Sequence, residues 1–209
     1  MYKRLVILIF LYSINVFSQK NINENWIINS EKSYVSYQGK HVLHEWVGIN
    51  NKIKGVLVFE NSQPSKIAIT ANILDFDSGN SSRDSNSLEI LEALDFPRVS
   101  FYGESFIIRN KSFDLSGNIT FHGIKKLNQI EGVILKRTKK EIVLEGNFEI
   151  KPSEYQINLP SFMLIKMEDL LKIEYKILFE KKWSKKNPHT SEGFFNRIID
   201  IYLESTASW

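Results

Sequence analysis

Four stretches of this 209-residue chain alternate apolar and polar residues regularly enough to fix which way each side chain must face. Phe113, Leu115, Gly117, Ile119 and Phe121 share one side of a run whose other side carries Asp114, Ser116, Asn118 and Thr120. Leu171, Ile173, Tyr175, Ile177 and Phe179 do the same against Lys172, Glu174 and Lys176, as do Ile142, Leu144, Gly146, Phe148 and Ile150 against Glu145, Asn147 and Glu149. Ile67, Ile69, Ala71 and Ile73 make a fourth set. A period of two over such lengths is the pattern of antiparallel strands with one face buried and one face in water.

Weaker runs fill the gaps at Tyr34 to Gln38, Ile53 to Phe59, Val99 to Ile108 and Leu127 to Leu135, giving about eight strands at the spacing of a sandwich or an up-and-down barrel. Gly39, Gly55, Gly103, Gly117, Gly132 and Gly146 fall inside or beside these runs, where glycine marks a sharp bend or the close approach of another group. Bent strands favour closure into a barrel over an open sandwich. One segment breaks the rhythm: after the turn cluster Asp77-Ser78-Gly79-Asn80, Leu88, Leu91 and Ala93 or Leu94 recur at helical spacing between Ser81 and Leu94, with Asp84 or Asn86 as the expected cap and Pro97 as the stop. Such a helix suits either a lid at a barrel mouth or a plug at the end of a core.

The chain holds no Cys, which excludes a disulfide scaffold, thiolate metal sites and thiol nucleophiles, so packing must hold the fold together; 14 Phe, 8 Tyr and 4 Trp supply it. Lys3 and Arg4 precede an apolar run from Leu5 to Val16, the layout of a secretory signal peptide over residues 1–18, and the run is short for a spanning helix. Export after cleavage, to the periplasm or outside, is expected. Without those two basic residues the count is 25 basic against 24 acidic, and the net charge falls from +3 to +1. A nucleic-acid-binding role loses its electrostatic basis.

Several short motifs then stand in a recognisable order. Trp26-Ile27-Ile28, a strand around Gly55, Asp77-Ser78-Gly79 to Arg83-Asp84, Leu88, Phe96-Pro97, Phe101 and the segment Gly117-Asn118-Ile119-Thr120-Phe121-His122-Gly123-Ile124-Lys125-Lys126 resemble the YceI-like polyisoprenoid-binding family over roughly Trp26 to Phe179. The resemblance implies an all-β, eight-stranded antiparallel lipocalin-like β-barrel over residues 19–180, exported from a bacterial cell, with an isoprenoid chain or similar lipid in its apolar interior. The chain departs from the family pattern at Lys32-Ser33, where a His-Ser pair is usual, and in about 30 further residues at the end.

Placed on that barrel, the alternation nominates a lipid-facing set: Tyr37, Phe59, Ile69, Ala71, Phe101, Gly117, Ile119, Phe121, Gly146, Phe148, Ile173 and Tyr175. Gly117, Gly146 and Ala71 among large neighbours would leave an uneven lining with room for a tunnel, whereas a barrel filled by its own side chains would show the same alternation. Arg83 and Asp84 are expected to anchor the loop and cap the helix beside the mouth. The expected function is that of a non-enzymatic carrier with no covalent cofactor, holding an isoprenoid or isoprenoid quinone.

Two rival readings stand beside it: a structural or stress-linked envelope barrel with no ligand, and a metal-assisted hydrolase using His41, His44 and His122, although an i, i+3 pair on one strand points to opposite faces and needs loop geometry to converge. No Gly-x-Ser-x-Gly elbow occurs, and Asp75 with Asp77 reads as a polar turn. After the barrel, residues 181–209 give a basic linker, Lys181-Lys182-Trp183-Ser184-Lys185-Lys186, and an amphipathic helix with Phe194, Phe195, Ile198, Ile199, Tyr202 and Leu203 on one stripe. This tail would either touch an anionic membrane surface or pack on the barrel wall, and Asp200 with Glu204 weighs for the wall. An exposed strand edge or the tail stripe would support a homodimer.

Overall fold

The computed structural model describes residues 23–42, 44–162 and 165–181. The expected signal peptide and the expected C-terminal helix lie outside the described residues. The described residues form twelve strands: β1 (Asn23–Ile28), β2 (Tyr34–His41), β3 (His44–Asn50), β4 (Lys54–Glu60), β5 (Gln63–Asn72), β6 (Arg98–Arg109), β7 (Ser112–Phe121), β8 (Ile124–Arg137), β9 (Glu141–Ile150), β10 (Ser161–Phe162), β11 (Ile165–Lys166) and β12 (Leu171–Lys181). The one α-helix among the described residues, α1 (Ser81–Ile90), sits in the connection between β5 and β6. β10 and β11 pair only with each other.

The remaining ten strands make eight staves of a closed antiparallel barrel. Along one edge of β12, β1 pairs through Ile28↔Phe179 and β2 through Tyr34↔Lys176, so the two strands lie end to end as one broken stave. Their partners repeat the break, because β4 pairs with β1 and β3 with β2. From β4 the sheet runs through β5, β6, β7, β8 and β9 back to β12. Every barrel neighbour is antiparallel, so no crossover is needed and closure leaves few unpaired backbone groups.

The break between β1 and β2 is kept satisfied by a side chain. The Leu178 N–H donates to Ser33 Oγ at 2.9 Å and the Leu178 carbonyl accepts from the Asn29 N–H at 2.9 Å, so β12 continues without an orphaned backbone group. At the second break, the fully buried Asn50 donates to the Asn72 carbonyl (3.0 Å) and accepts from the Lys52 N–H (2.7 Å). Beyond it, the only backbone pairing of the outer edge of β3 among the described residues is the Ile49–Asp77 bridge, to the connection that follows β5. The barrel is therefore less tightly sewn at this end, and α1 lies over it.

Packing closes the opposite end. Trp26 and Phe59 stack at 4.4 Å between ring centroids, both nearly inaccessible, and the Arg137 guanidinium sits 5.9 Å from the Phe59 ring while donating to the Ser62 carbonyl. Ile53, Leu57, Phe113, Ile142, Leu144 and Phe179 fill the core beside them. The helix begins as its turn chemistry dictates, with the Asn80 side chain accepting from the Arg83 N–H at 3.0 Å. Asn80, rather than Asp84 or Asn86, is thus the cap. Beyond Ile90 a turn, not further helix, carries Leu91 to Leu94, and Glu92 adopts φ +45°.

Candidate ligand-binding cavity

The interior is not filled. A cavity of about 640 Å³ runs from beneath α1 and the β2–β3 hairpin down to Phe113, Ile130 and Leu144 in the middle of the barrel. Its walls are mostly apolar, with Val35, Ile69, Val99, Phe101, Ile119, Ile150, Ile173 and Ile177 contributed by strands from all round the ring and polar side chains gathered at the helix end. A volume in the range of about 300–1,000 Å³ suits one small-molecule ligand.

Most of the alternation-derived set faces this space: Tyr37, Ile69, Ala71, Phe101, Ile119, Phe121, Phe148, Ile173 and Tyr175 all line it. Three do not. Phe59 belongs to the stack that closes the far end. Gly117 and Gly146 lie under neighbouring rings, since a Cβ at Gly117 would stand 2.5 Å from the Phe101 ring and one at Gly146 would stand 2.5 Å from the Tyr175 hydroxyl. These glycines let aromatic rings lie flat on the wall, and the rings, not a ligand, take up the space the glycines free.

Sequence reading missed β3 and with it the most distinctive part of the wall. Tyr37 stands opposite Gly48, and Trp46 opposite Gly39, in adjacent rows of the β2–β3 pair. The Tyr37 ring covers Gly48, while a Cβ at Gly39 would lie 2.6 Å from the Trp46 ring. Each aromatic therefore leans across the strand gap onto a glycine of the other strand. Burial pushes the Tyr37 phenol above its ordinary pKa, partly opposed by the neighbouring Trp46 and Ser87 side chains. Burial alone raises the Tyr175 phenol much further, although its hydroxyl donates to the Glu131 carbonyl at 3.3 Å.

The helix contributes the polar rim. The Arg83 guanidinium lies 5.6 Å from the Trp46 ring centroid, within cation–π range, and donates to Ser78 Oγ at 3.4 Å. Asp84 accepts from the Ser78 N–H at 3.2 and 3.3 Å. Both residues tie the loop before α1 to the helix while lining the cavity.

The histidines divide. His41 and His44 are cross-strand partners at the end of the β2–β3 hairpin, with rings 6.0 Å apart, so the hairpin supplies the loop geometry that an i, i+3 pair needs, and both line the cavity. His122 sits in the β7–β8 turn at φ +50°, its ring nitrogens 3.0 Å from the Tyr155 carbonyl and 3.1 Å from the Glu92 carboxylate. Among the described residues no three such side chains come together as metal ligands.

A family model described as a YceI-like domain matches residues 26–179, from the closing Trp26 to the core Phe179. The chain belongs to the YceI-like family. The YceI protein of Salmonella newport (strain SL254) is 26% identical over 110 residues, which cover 50% of this chain and 58% of the relative's length. The chain thus spans little more than half of the curated YceI proteins it matches. Among solved structures, Burkholderia cenocepacia BcnA superposes with a TM-score of 0.65 at 15% identity, covering 72% of this chain and 98% of its own. A polyisoprenoid binding domain from Saccharophagus degradans, implicated in plant cell wall breakdown, superposes at 0.62 and 9% identity over 75% and 98%. At such identities the likeness is one of fold, and the YceI-like barrel is the fold they share.

Proposed function

We propose that this YceI-like protein is a non-catalytic binding or carrier protein that holds an isoprenoid-type lipid, an isoprenoid quinone being a fitting example, inside its barrel after export. The single observation that carries the reading is the continuous apolar cavity of about 640 Å³ reaching the barrel centre from beneath α1. Each methylene of a chain moved from water into such a space contributes about 0.8 kcal/mol, so a long tail binds with few polar contacts. The solved fold relative named for polyisoprenoid binding supports the ligand class. The basic, apolar start of the sequence supports export.

Native mass spectrometry of protein purified from its own cell envelope, followed by organic extraction, tests the reading. A stoichiometric lipid that leaves on extraction and is replaced on titration with an isoprenoid quinone is the expected result. Protein that carries no lipid and takes up no quinone would sink it.

A further inference from the structure

The bottom of the cavity is sharply placed. On β12 the inward residues Leu171, Ile173, Tyr175 and Ile177 all line it, and the next one, Phe179, does not. On β9 the same limit falls between Leu144, which lines it, and Ile142, which does not. Leu144 stands opposite Ile177 and Ile142 opposite Phe179, so the two strands stop the space at one level of the barrel. The floor at that level is braced from the side. The Phe113 ring covers Gly132, where a Cβ would lie 2.5 Å from it, and stacks on Phe106 at 5.1 Å between centroids. Beneath the floor, Ile142 and Phe179 are fully buried and pack in the same core as Trp26 and Phe59.

A fixed floor sets a length. The stretch of β12 from Leu171 to Ile177 covers about 20 Å of strand, and with barrel strands tilted by about 40° this gives a depth of about 15 Å. An isoprene unit has four backbone bonds; since the three bonds of a peptide residue reach at most about 3.6 Å, one unit extends about 4.5–5 Å. The depth below Leu171 thus takes about three units, and the space between there and Leu88 and Leu91 adds to it. Volume gives the same answer independently. At about 30 Å³ for each water-sized group, 640 Å³ holds about twenty heavy atoms, the content of about four units. Resting on the reading of the cavity as an isoprenoid site, we propose that the floor formed by Phe113, Leu144 and Ile177 is a chain-length gauge, so that the barrel encloses about three to four isoprene units, or about 15–20 carbons, and further units stay outside and add no contact.

The test titrates prenols of two to six isoprene units into the full chain, with N-phenyl-1-naphthylamine as the displaced probe. Affinity is expected to rise at least about tenfold per unit up to the third or fourth, since each unit buries five more carbons, and to change less than about threefold per unit beyond that. Leu144→Ala lowers the floor on β9. Truncating a buried leucine opens on the order of 150 Å³, room for one more unit, so the break in its series should come one unit later than in the wild type. Self-association of the prenols cannot produce that difference, because both proteins meet the same ligands. In ¹H–¹³C spectra of the wild type, the Ile130 methyl signals should respond to the four-unit prenol and then stay put for the five- and six-unit ones, a readout that holds even if the variant folds poorly. Affinity that keeps climbing through six units, a break before the third, methyl signals that keep moving beyond the fourth, or a well-folded Leu144→Ala with an unmoved break overturns the gauge while leaving the lipid site standing. A wild type from which no prenol displaces the probe instead removes the lipid site itself, and the gauge with it.

Discussion

Gly146 and Tyr175 stand opposite each other across β9 and β12, and the pairing works only because Gly146 has no side chain. A methyl there would lie 2.5 Å from the Tyr175 hydroxyl and 2.7 Å from the Glu131 carbonyl, and the second contact is backbone that cannot swing away. Gly146→Ala is therefore expected to cost about 1–3 kcal/mol, as overpacking does, read as a lower urea midpoint with an unchanged slope. Tyr175 itself makes a pH prediction. Its folded pKa is raised by burial, so between the ordinary phenol value of about 10 and the folded value the unfolded chain has released a proton that the native state keeps. That contribution to stability is complete below about pH 10 and is lost as the pH climbs further. Thermal melts from pH 8 to 11.5 should show Tyr175→Phe falling less steeply than wild type on the alkaline side, and parallel slopes would contradict the assignment. Neither effect was legible in the sequence, where Gly146 reads as a gap in a tunnel wall; a period of two says which face a glycine is on, not which neighbour covers it.

Helix α1 is the element least anchored by burial: none of its ten residues is buried, and the Asn80 cap together with the Ser78–Asp84 and Arg83–Trp46 contacts holds its start over the less tightly sewn end of the barrel. Such an element should open locally long before the barrel unfolds. Amide exchange should show α1 losing protection well ahead of β7 and β8, and Asn80→Ala, which removes a cap usually worth about 0.5–2 kcal/mol, should speed exchange in α1 while hardly moving the global melt. Uniform exchange across both elements would mean that the helix belongs to the cooperative core. The existence of α1 was readable from the change of period after Asn80, but its end was not, because Leu91 to Leu94 keep helical spacing within a turn. Strand β3 was missed for the opposite reason. Its outward face carries the half-exposed Val47 and Ile49, while Trp46, Gly48 and Asn50 point inward, so the apolar-inside rule assigns the wrong face. Strand β1 was read as an opening motif and not as half of a stave, because what makes it continuous with β2 is the Ser33–Leu178 hydrogen bond, a contact across 145 residues.

At the scale of the whole molecule, closure and hollowness pull against each other. A closed eight-stave barrel satisfies its backbone without disulfides, yet a cavity of about 640 Å³ leaves wall atoms without the contacts a filled core would give them. The eight-strand count and the glycine bends made a barrel legible; whether it was hollow depended on side chains meeting across the interior, which periodicity along a strand does not encode. If the space exists for a ligand, filling it should separate stability from binding. Ala71 on β5 is the place to do so, since it is buried, small and on the cavity wall. Ala71→Phe should leave the thermal midpoint unchanged or raised while lowering affinity for an isoprenoid quinone at least tenfold, and the quinone should raise the midpoint of the wild type but not of the variant, because a ligand stabilises only the state that binds it. Paired melts and titrations on the two proteins decide the matter. Loss of binding accompanied by a collapsed midpoint would mean only that the wall cannot take a ring there, in which case Ala71→Leu, with less added bulk, should restore the fold and still cut affinity; retention of full affinity by a well-folded Ala71→Phe would place the ligand outside the barrel.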